Sequence, residues 1–182
     1  MLSPTLPKKD SFAIEKAFCF LIKQVNIKCT NDKPLIFHSI RVGVRLFELK
    51  QSKDVIIAGV LHDLLEDTDC NLKQIKTEFG PKVAKLVEAL TFDPTERDYK
   101  KRWSKEVKKI IKQGQDCMLI KVVDIFDNLS YYLKVHHKEN KLKKELLWKN
   151  QLIINQFQPY LGNNQFFIEY VEEFNKIIKK MK

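Results

Sequence analysis

The chain is expected to fold as a single all-α domain, on three observations. Its 182 residues include only five glycines and six prolines. Apolar residues recur at helical spacing over long stretches, and no stretch alternates apolar with polar as a half-buried strand would. No composition shift or internal repeat marks a second domain, and the length suffices for one full core. Residues 1–9 are expected to be a disordered leader and 10–182 the domain. No apolar run approaches the roughly 20 residues that cross a bilayer, and Met1 to Asp10 lacks the apolar core of a signal peptide, so a soluble cytoplasmic protein is expected.

The elements follow in chain order. Asp10 is placed to cap a first helix whose inward residues are Ile14, Ala17, Phe18, Leu21, Ile22 and Val25, ending near Asn26 to Lys28. Cys29 to Pro34 forms a loop before a second helix carrying His38, Val42, Leu46 and Leu49. Ser52 starts a third helix, closed by Thr68 to Cys70. Asn71 and Gln74 have the spacing of a capping box, and Phe79-Gly80 ends that helix with a left-handed glycine. Pro81 opens the next, through Val83, Leu86, Val87 and Leu90. After a polar connection from Phe92 to Asp98 that borders the expected pocket, a basic helix runs from Tyr99 to Gln113 and breaks at Gly114. A second buried helix spans residues 116 to 135, and amphipathic helices near 140–160 and 164–181 complete the core.

Charge and cysteine content narrow the function. Net charge is +10, from 33 Lys plus Arg against 23 Asp plus Glu. That balance suits nucleic acid or a phosphorylated small molecule. Lys105, Lys108, Lys109 and Lys112 fit a solvated helix face. No zinc-finger or RNA-recognition signature is present, and the aromatics do not interleave with the lysines, so nucleic acid is not the expected partner. Cys19, Cys29, Cys70 and Cys117 are widely scattered, as reduced thiols without chemistry would be. No feature sets an oligomeric state.

Two aspartates lie in oily surroundings. Asp63 sits among Val60, Leu61, Leu64 and Leu65, and Asp124 between Val123 and Ile125. A carboxylate removed from water without a partner costs several kcal/mol, so each needs a cation or a proton. On one continuous helix His62 would stand over Glu66 and Asp63 over Asp67. His38, His62, Asp63 and Asp124 together offer two imidazole nitrogens and two carboxylate oxygens without thiolate. That set suits Mn²⁺, Fe²⁺ or a similar divalent ion and leaves positions for water and a phosphate oxygen. Glu66 and Asp67 are placed to orient that water or move its proton. Each residue has a plainer role: His38 as a hydrogen-bonded core histidine, Glu66-Asp67 as a solvated helix end, Asp124 paired with Lys121, Asn128 satisfying nearby backbone. His136 and His137 read as surface residues.

The ordered set His38, His62-Asp63 with Glu66-Asp67-Thr68, and Asp124 with Asn128 resembles the HD phosphohydrolase superfamily. Within it the chain is most similar to the RelA/SpoT-type alarmone (ppGpp) hydrolase domains and their small stand-alone relatives, over roughly residues 10–135. Phe79-Gly80, Val83, Leu86-Val87-Glu88, Thr91 and Lys121 through Leu129 extend the match. The resemblance implies an all-helical HD domain with extra C-terminal helices, using one Mn²⁺ to remove pyrophosphate from the 3′ position of a guanosine alarmone. It implies His38, His62, Asp63 and Asp124 as ligands, Glu66 and Asp67 serving the attacking water, and Asn128 contacting the nucleotide. Two departures bear on guanine recognition rather than on the metal. Cys29-Thr30 and Pro34-Leu35-Ile36 stand where relatives carry a basic pair and Pro-Tyr-Ile, and this chain has Ile125-Phe126-Asp127 where relatives have a basic residue before the tyrosine or histidine that precedes Asn128. Lys28, Arg102 and Lys121 are candidate phosphate contacts. Alternatives are an HD-type phosphatase of NADPH or a nucleoside monophosphate, a non-catalytic nucleotide sensor, and a structural ion alone.

Overall fold

One helix is buried all round, and the others are arranged about it. In the computed structural model, which describes residues 6–25, 34–135 and 140–181, α1 (Lys8–Gln24), α2 (Leu35–Glu48), α5 (Leu72–Leu90) and α7 (Gln115–Val135) pack against α3 (Lys53–Leu61). Val55 through Leu61 are all buried, which is why this stretch carries no polar face. α4 (Leu64–Asp67) continues from α3, and α6 (Tyr99–Gln113) lies against α5 and α7. α8 (Asn140–Leu161) and α9 (Gln165–Met181) cover α7, as expected for the C-terminal helices. There the Tyr170 hydroxyl donates to Asn150 Oδ1 at 2.7 Å, which satisfies two buried polar groups at once. No strand occurs among the described residues.

Several local expectations hold. Asn71 accepts from the Gln74 N–H at 3.1 Å while Gln74 Oε1 accepts from the Asn71 N–H at 2.9 Å, a complete capping box. Gly80 breaks α5 at φ 88°, a conformation that glycine adopts without a Cβ penalty, and Pro81 resumes the helix. Gly114 ends α6 where expected. Cys70 and Cys117 are buried free thiols and Cys19 an exposed one.

Others need correction. α1 begins at Lys8, inside the expected leader, because Pro7 takes the cap position and its carbonyl accepts from the Asp10 and Ser11 N–H groups at 2.8 and 3.1 Å. Asp10 therefore lies in the first turn, where its charge suits the helix dipole and pairs with Lys53 at 3.1 Å. Ile22 is 54% exposed, while Ile14, Ala17 and Leu21 form the buried strip of α1. Met1 to Thr5, Asn26 to Lys33 and His136 to Glu139, with Lys28 and Cys29 among them, lie outside the described residues.

The third expected helix is not continuous. Regular helix stops at Leu61, Asp63 adopts φ −91° and ψ −5°, and α4 restarts with the Glu66 and Asp67 N–H groups donating to the Asp63 carbonyl at 3.1 and 3.0 Å. Asp63 still lies one turn before Asp67, through the Asp67 N–H to Asp63 carbonyl bond, and Asp63, Glu66 and Asp67 line one cavity.

Glycines bring α2 and α3 together. A Cβ on Gly59 would collide with Leu46 Cδ1 and lie 3.3 Å from Val42 Cγ1, and one on Gly43 would meet Val60 Cγ2 at 2.5 Å. Leu46 is fully buried. Gly59→Ala is expected to cost about 1–3 kcal/mol by overpacking. The measurement is a denaturant melt with and without a divalent ion, and an unchanged midpoint would show that the approach is not tight.

Candidate metal centre

Three segments bring the expected ligands together: His38, His62 and Asp124 have ligand atoms within 4.8 Å of one another, and Asp63 stands beside them. α2 carries His38 in its second turn, the α3–α4 break carries His62 and Asp63, and the middle of α7 carries Asp124. His38 Nε2 lies 3.2 Å from His62 Nε2 and 3.2 Å from Asp124 Oδ1. His62 Nε2 is 3.0 Å from Asp63 Oδ1 and 3.6 Å from Asp124 Oδ1, and Asp63 Oδ2 is 3.6 Å from His38 Nε2. His38, His62 and Asp124 are buried.

The outer ring nitrogens decide what the inner ones can do. His62 Nδ1 sits 2.8 Å from the Gly59 carbonyl and His38 Nδ1 2.7 Å from the Asp127 carboxylate. Both partners accept, so each Nδ1 carries a proton and each Nε2 points inward toward Asp63 and Asp124. Two ring nitrogens and two carboxylates then face one another, with Lys121 and Asn128 each meeting Asp124. Such a cluster favours added positive charge, which a proton on an imidazole or a metal ion can supply. Burial opposes a charge on His62, yet Asp63 and Asp124 outweigh it and push its pKa up to about 10. Burial likewise opposes ionisation of Asp124, but Lys121 and the two histidines hold its pKa well below the usual carboxylate value. A nitrogen and oxygen set without thiolate fits a divalent ion such as Mn²⁺ or Fe²⁺.

Beside the cluster is a cavity of about 270 Å³, lined by Asp63, Glu66, Asp67, Phe92, Trp103, Lys121, Asp124, Asn128, Tyr132 and Lys149. Glu66 is open to this cavity, and one of its oxygens accepts from the Phe92 N–H at 2.6 Å. The protein crowded around its carboxyl pushes the pKa up to about 7 against the pull of Lys121. The Phe92 connection thus borders the pocket, as expected. Lys121 is buried, 2.7 Å from Glu106 and 3.1 Å from Asp124, and the Asn128 amide donates to Asp124 Oδ1 at 2.6 Å. Arg102 stacks its guanidinium 4.8 Å from the centre of the Phe92 ring and lies behind the wall rather than on it.

Other contributors were invisible as an isolated pattern. Glu106, on the basic helix, is the buried partner of Lys121. Asp127 holds His38 and is held by Arg41 Nε at 2.6 Å. Partial burial would raise the Asp127 pKa, but Arg41 and His38 bring it down to about 2. Cations and aromatics do interleave in space, contrary to their linear order. Lys121 and Lys149 lie 4.9 and 5.3 Å from the Trp103 ring centre, and Lys100 5.6 Å from that of Trp148. The lysines singled out on α6, Lys105, Lys108, Lys109 and Lys112, are exposed as expected.

The fold and the centre define an all-helical domain whose histidines and aspartates converge from three helices. Residues 20–147 match the HD domain family, and the chain belongs to that family. It is 32% identical over 159 residues to a guanosine-3′,5′-bis(diphosphate) 3′-pyrophosphohydrolase of Aquifex aeolicus, covering 82% of this chain and 23% of that protein. Against the Drosophila melanogaster enzyme of the same activity, MESH1, identity is 33%, covering 60% of this chain and 62% of the relative. The chain thus spans less than two thirds of these relatives' lengths. Its fold matches a solved metazoan ortholog of SpoT described as hydrolysing ppGpp, with TM-score 0.73, 24% identity and 94% and 97% of the two chains covered. A Listeria monocytogenes structure matches with TM-score 0.68 and 26% identity, over 78% of this chain and 99% of that one.

Proposed function

We propose that the chain is a phosphohydrolase of a small nucleotide, with (p)ppGpp the first-choice substrate and 3′-pyrophosphate the group removed. The observation that carries this is the convergence of His38, His62, Asp63 and Asp124 beside a cavity walled by Glu66, Asp67 and Lys121. The names borne by the Aquifex and Drosophila relatives supply the choice of alarmone. Among the described residues no helix is long and apolar enough to cross a membrane, and we place the activity in the cytoplasm.

Mn²⁺ is the proposed ion, and when bound it supplies a Lewis acid for the phosphoryl oxygens and lowers the pKa of a water. The residues of the chain do the rest. Gly59 and Asp127 keep both histidines in the tautomer that offers Nε2. Asp63 and Asp124 balance the charge of a divalent ion. Lys121 and Lys149 put positive charge on the cavity wall where the pyrophosphate would lie, and Phe92, Trp103 and Tyr132 give that wall flat apolar surface suited to a base or ribose. Asn128 holds Asp124 first, and any nucleotide contact must come through the rest of its amide.

Glu66 is the proposed proton acceptor from the attacking water, with Asp67 beside it. Its backbone bond to Phe92 fixes one oxygen and its pKa of about 7 is matched to a base working near neutrality. An acceptor must be ionised, so the rate is expected to climb with pH through about 7 and level off above it. Glu66→Gln is expected to lose about 10²- to 10⁴-fold in kcat and with it that limb. The experiment is an incubation with Mn²⁺ and a panel of ppGpp, NADPH and nucleoside monophosphates, reading released phosphate and pyrophosphate. Pyrophosphate from ppGpp supports the proposal, release from another member moves the substrate, and no metal-dependent turnover on any member rejects it.

A further inference from the structure

We propose that Asp127 and Arg41 are positioning residues for His38, a charged outer pair that fixes the tautomer and orientation of one of the two imidazole ligands. The proposal rests on the metal-binding reading above. Arg41 grips Asp127 at two points, Nε to Oδ1 at 2.6 Å and Nη2 to Oδ2 at 2.8 Å, and Oδ2 also meets His38 Nδ1 at 2.7 Å. Two parallel charge-assisted bonds leave the carboxylate little freedom to rotate. One atom, Oδ2, thereby joins an arginine to a buried histidine.

The arrangement follows from spacing on two helices. Arg41 stands three residues after His38 on α2, and Asp127 three after Asp124 on α7, so the outer pair occupies the turn next to the ligands on each helix. Exposure falls along the chain of contacts, from 47% for the Arg41 side chain through 16% for Asp127 to 0% for His38. Arg41 and Asp127 also line a separate surface cavity of about 310 Å³ with Arg45, Phe126 and Ser130, so the pair is reached from the side away from the substrate cavity. It touches no reacting group.

The two ligand histidines are thus held unequally. His62 leans on a neutral peptide carbonyl, whereas His38 leans on a full carboxylate charge locked in place by a guanidinium. A carboxylate behind a ligating imidazole fixes its tautomer and ring orientation, and loss of such a partner typically weakens metal binding about 10- to 100-fold. The same contacts tie α2 to α7. A purely structural tie would affect melting and leave metal affinity alone.

The test measures Mn²⁺ affinity for wild type, D127N, R41M and R41K, from the EPR signal of free Mn²⁺, alongside melting in chelator. D127N is expected to bind Mn²⁺ about 10- to 100-fold more weakly, because an amide can place the proton on the wrong ring nitrogen. R41M should lose less, roughly several-fold, and R41K should recover part of that loss by restoring the charge without the two-point grip. D127N within twofold of wild type overturns the proposal, as do variants that melt earlier in chelator yet bind Mn²⁺ normally. Should D127N fail to fold, R41M binding as tightly as wild type overturns it. Wild type that binds no Mn²⁺ removes the metal reading itself, a result distinct from equal binding by the variants.

Discussion

Asp124→Asn is expected to give a folded chain that no longer hydrolyses nucleotide in the presence of Mn²⁺. The substitution keeps the shape of the side chain and removes one negative charge from a point 3.2 Å from His38 Nε2 and 3.6 Å from His62 Nε2. It also turns an acceptor-only group into one that can aim N–H at those lone pairs. A divalent ion would then lose both a ligand and half of its charge balance. Several kcal/mol of Lewis-acid stabilisation correspond to a rate loss on the order of 10³- to 10⁵-fold. Pyrophosphate release at saturating Mn²⁺ measures it. Activity within tenfold of wild type would mean that Asp124 serves Lys121 and Asn128 rather than an ion.

Lys121→Met is expected to produce the largest loss of stability. Lys121 is 2.7 Å from Glu106 and 3.1 Å from Asp124, and all three are buried. Burial works against the lysine charge, but Glu106 and Asp124 outweigh it and raise its pKa, while burial raises that of Glu106. Removing the cation leaves two carboxylates in the interior with nothing to offset their desolvation, at a cost of about 3–5 kcal/mol. Equilibrium unfolding in chelator is the measurement. Because an ion would restore a counter-charge to Asp124, Mn²⁺ is expected to return part of the loss. Lys121→Met combined with Glu106→Gln should be less destabilised than the sum of the two changes, since the orphaned glutamate charge is then gone. Strict additivity would show that the pair is not coupled.

Much of this was legible because local chemistry and tertiary structure agree. The capping box at Asn71, the glycines at 80 and 114, and the two aspartates in aliphatic runs each carry their reason within a few residues. The break at His62-Asp63 does not, because Val55 through Leu65 is apolar enough to continue as helix and only packing against α2 and α7 shows where it must turn. Ile22 fits the apolar stripe of α1 yet is exposed, the buried strip being Ile14, Ala17 and Leu21. Asp127 looked like a departure from the family pattern. Its partner Arg41 is 86 positions away, and nothing local pairs two residues so distant. Charges one turn beyond each ligand, on two helices already joined by the ligands themselves, are the signal that points to such pairs.

The account stands on one ion held by nitrogens from two histidines and oxygens from two aspartates. Pulsed EPR of the chain with one equivalent of Mn²⁺ tests it most directly, by counting the nitrogen nuclei coupled to the metal. Two imidazole nitrogens are expected, falling to one in His38→Ala and in His62→Ala. Manganese that stays free, or binds without coupled nitrogen, would contradict it.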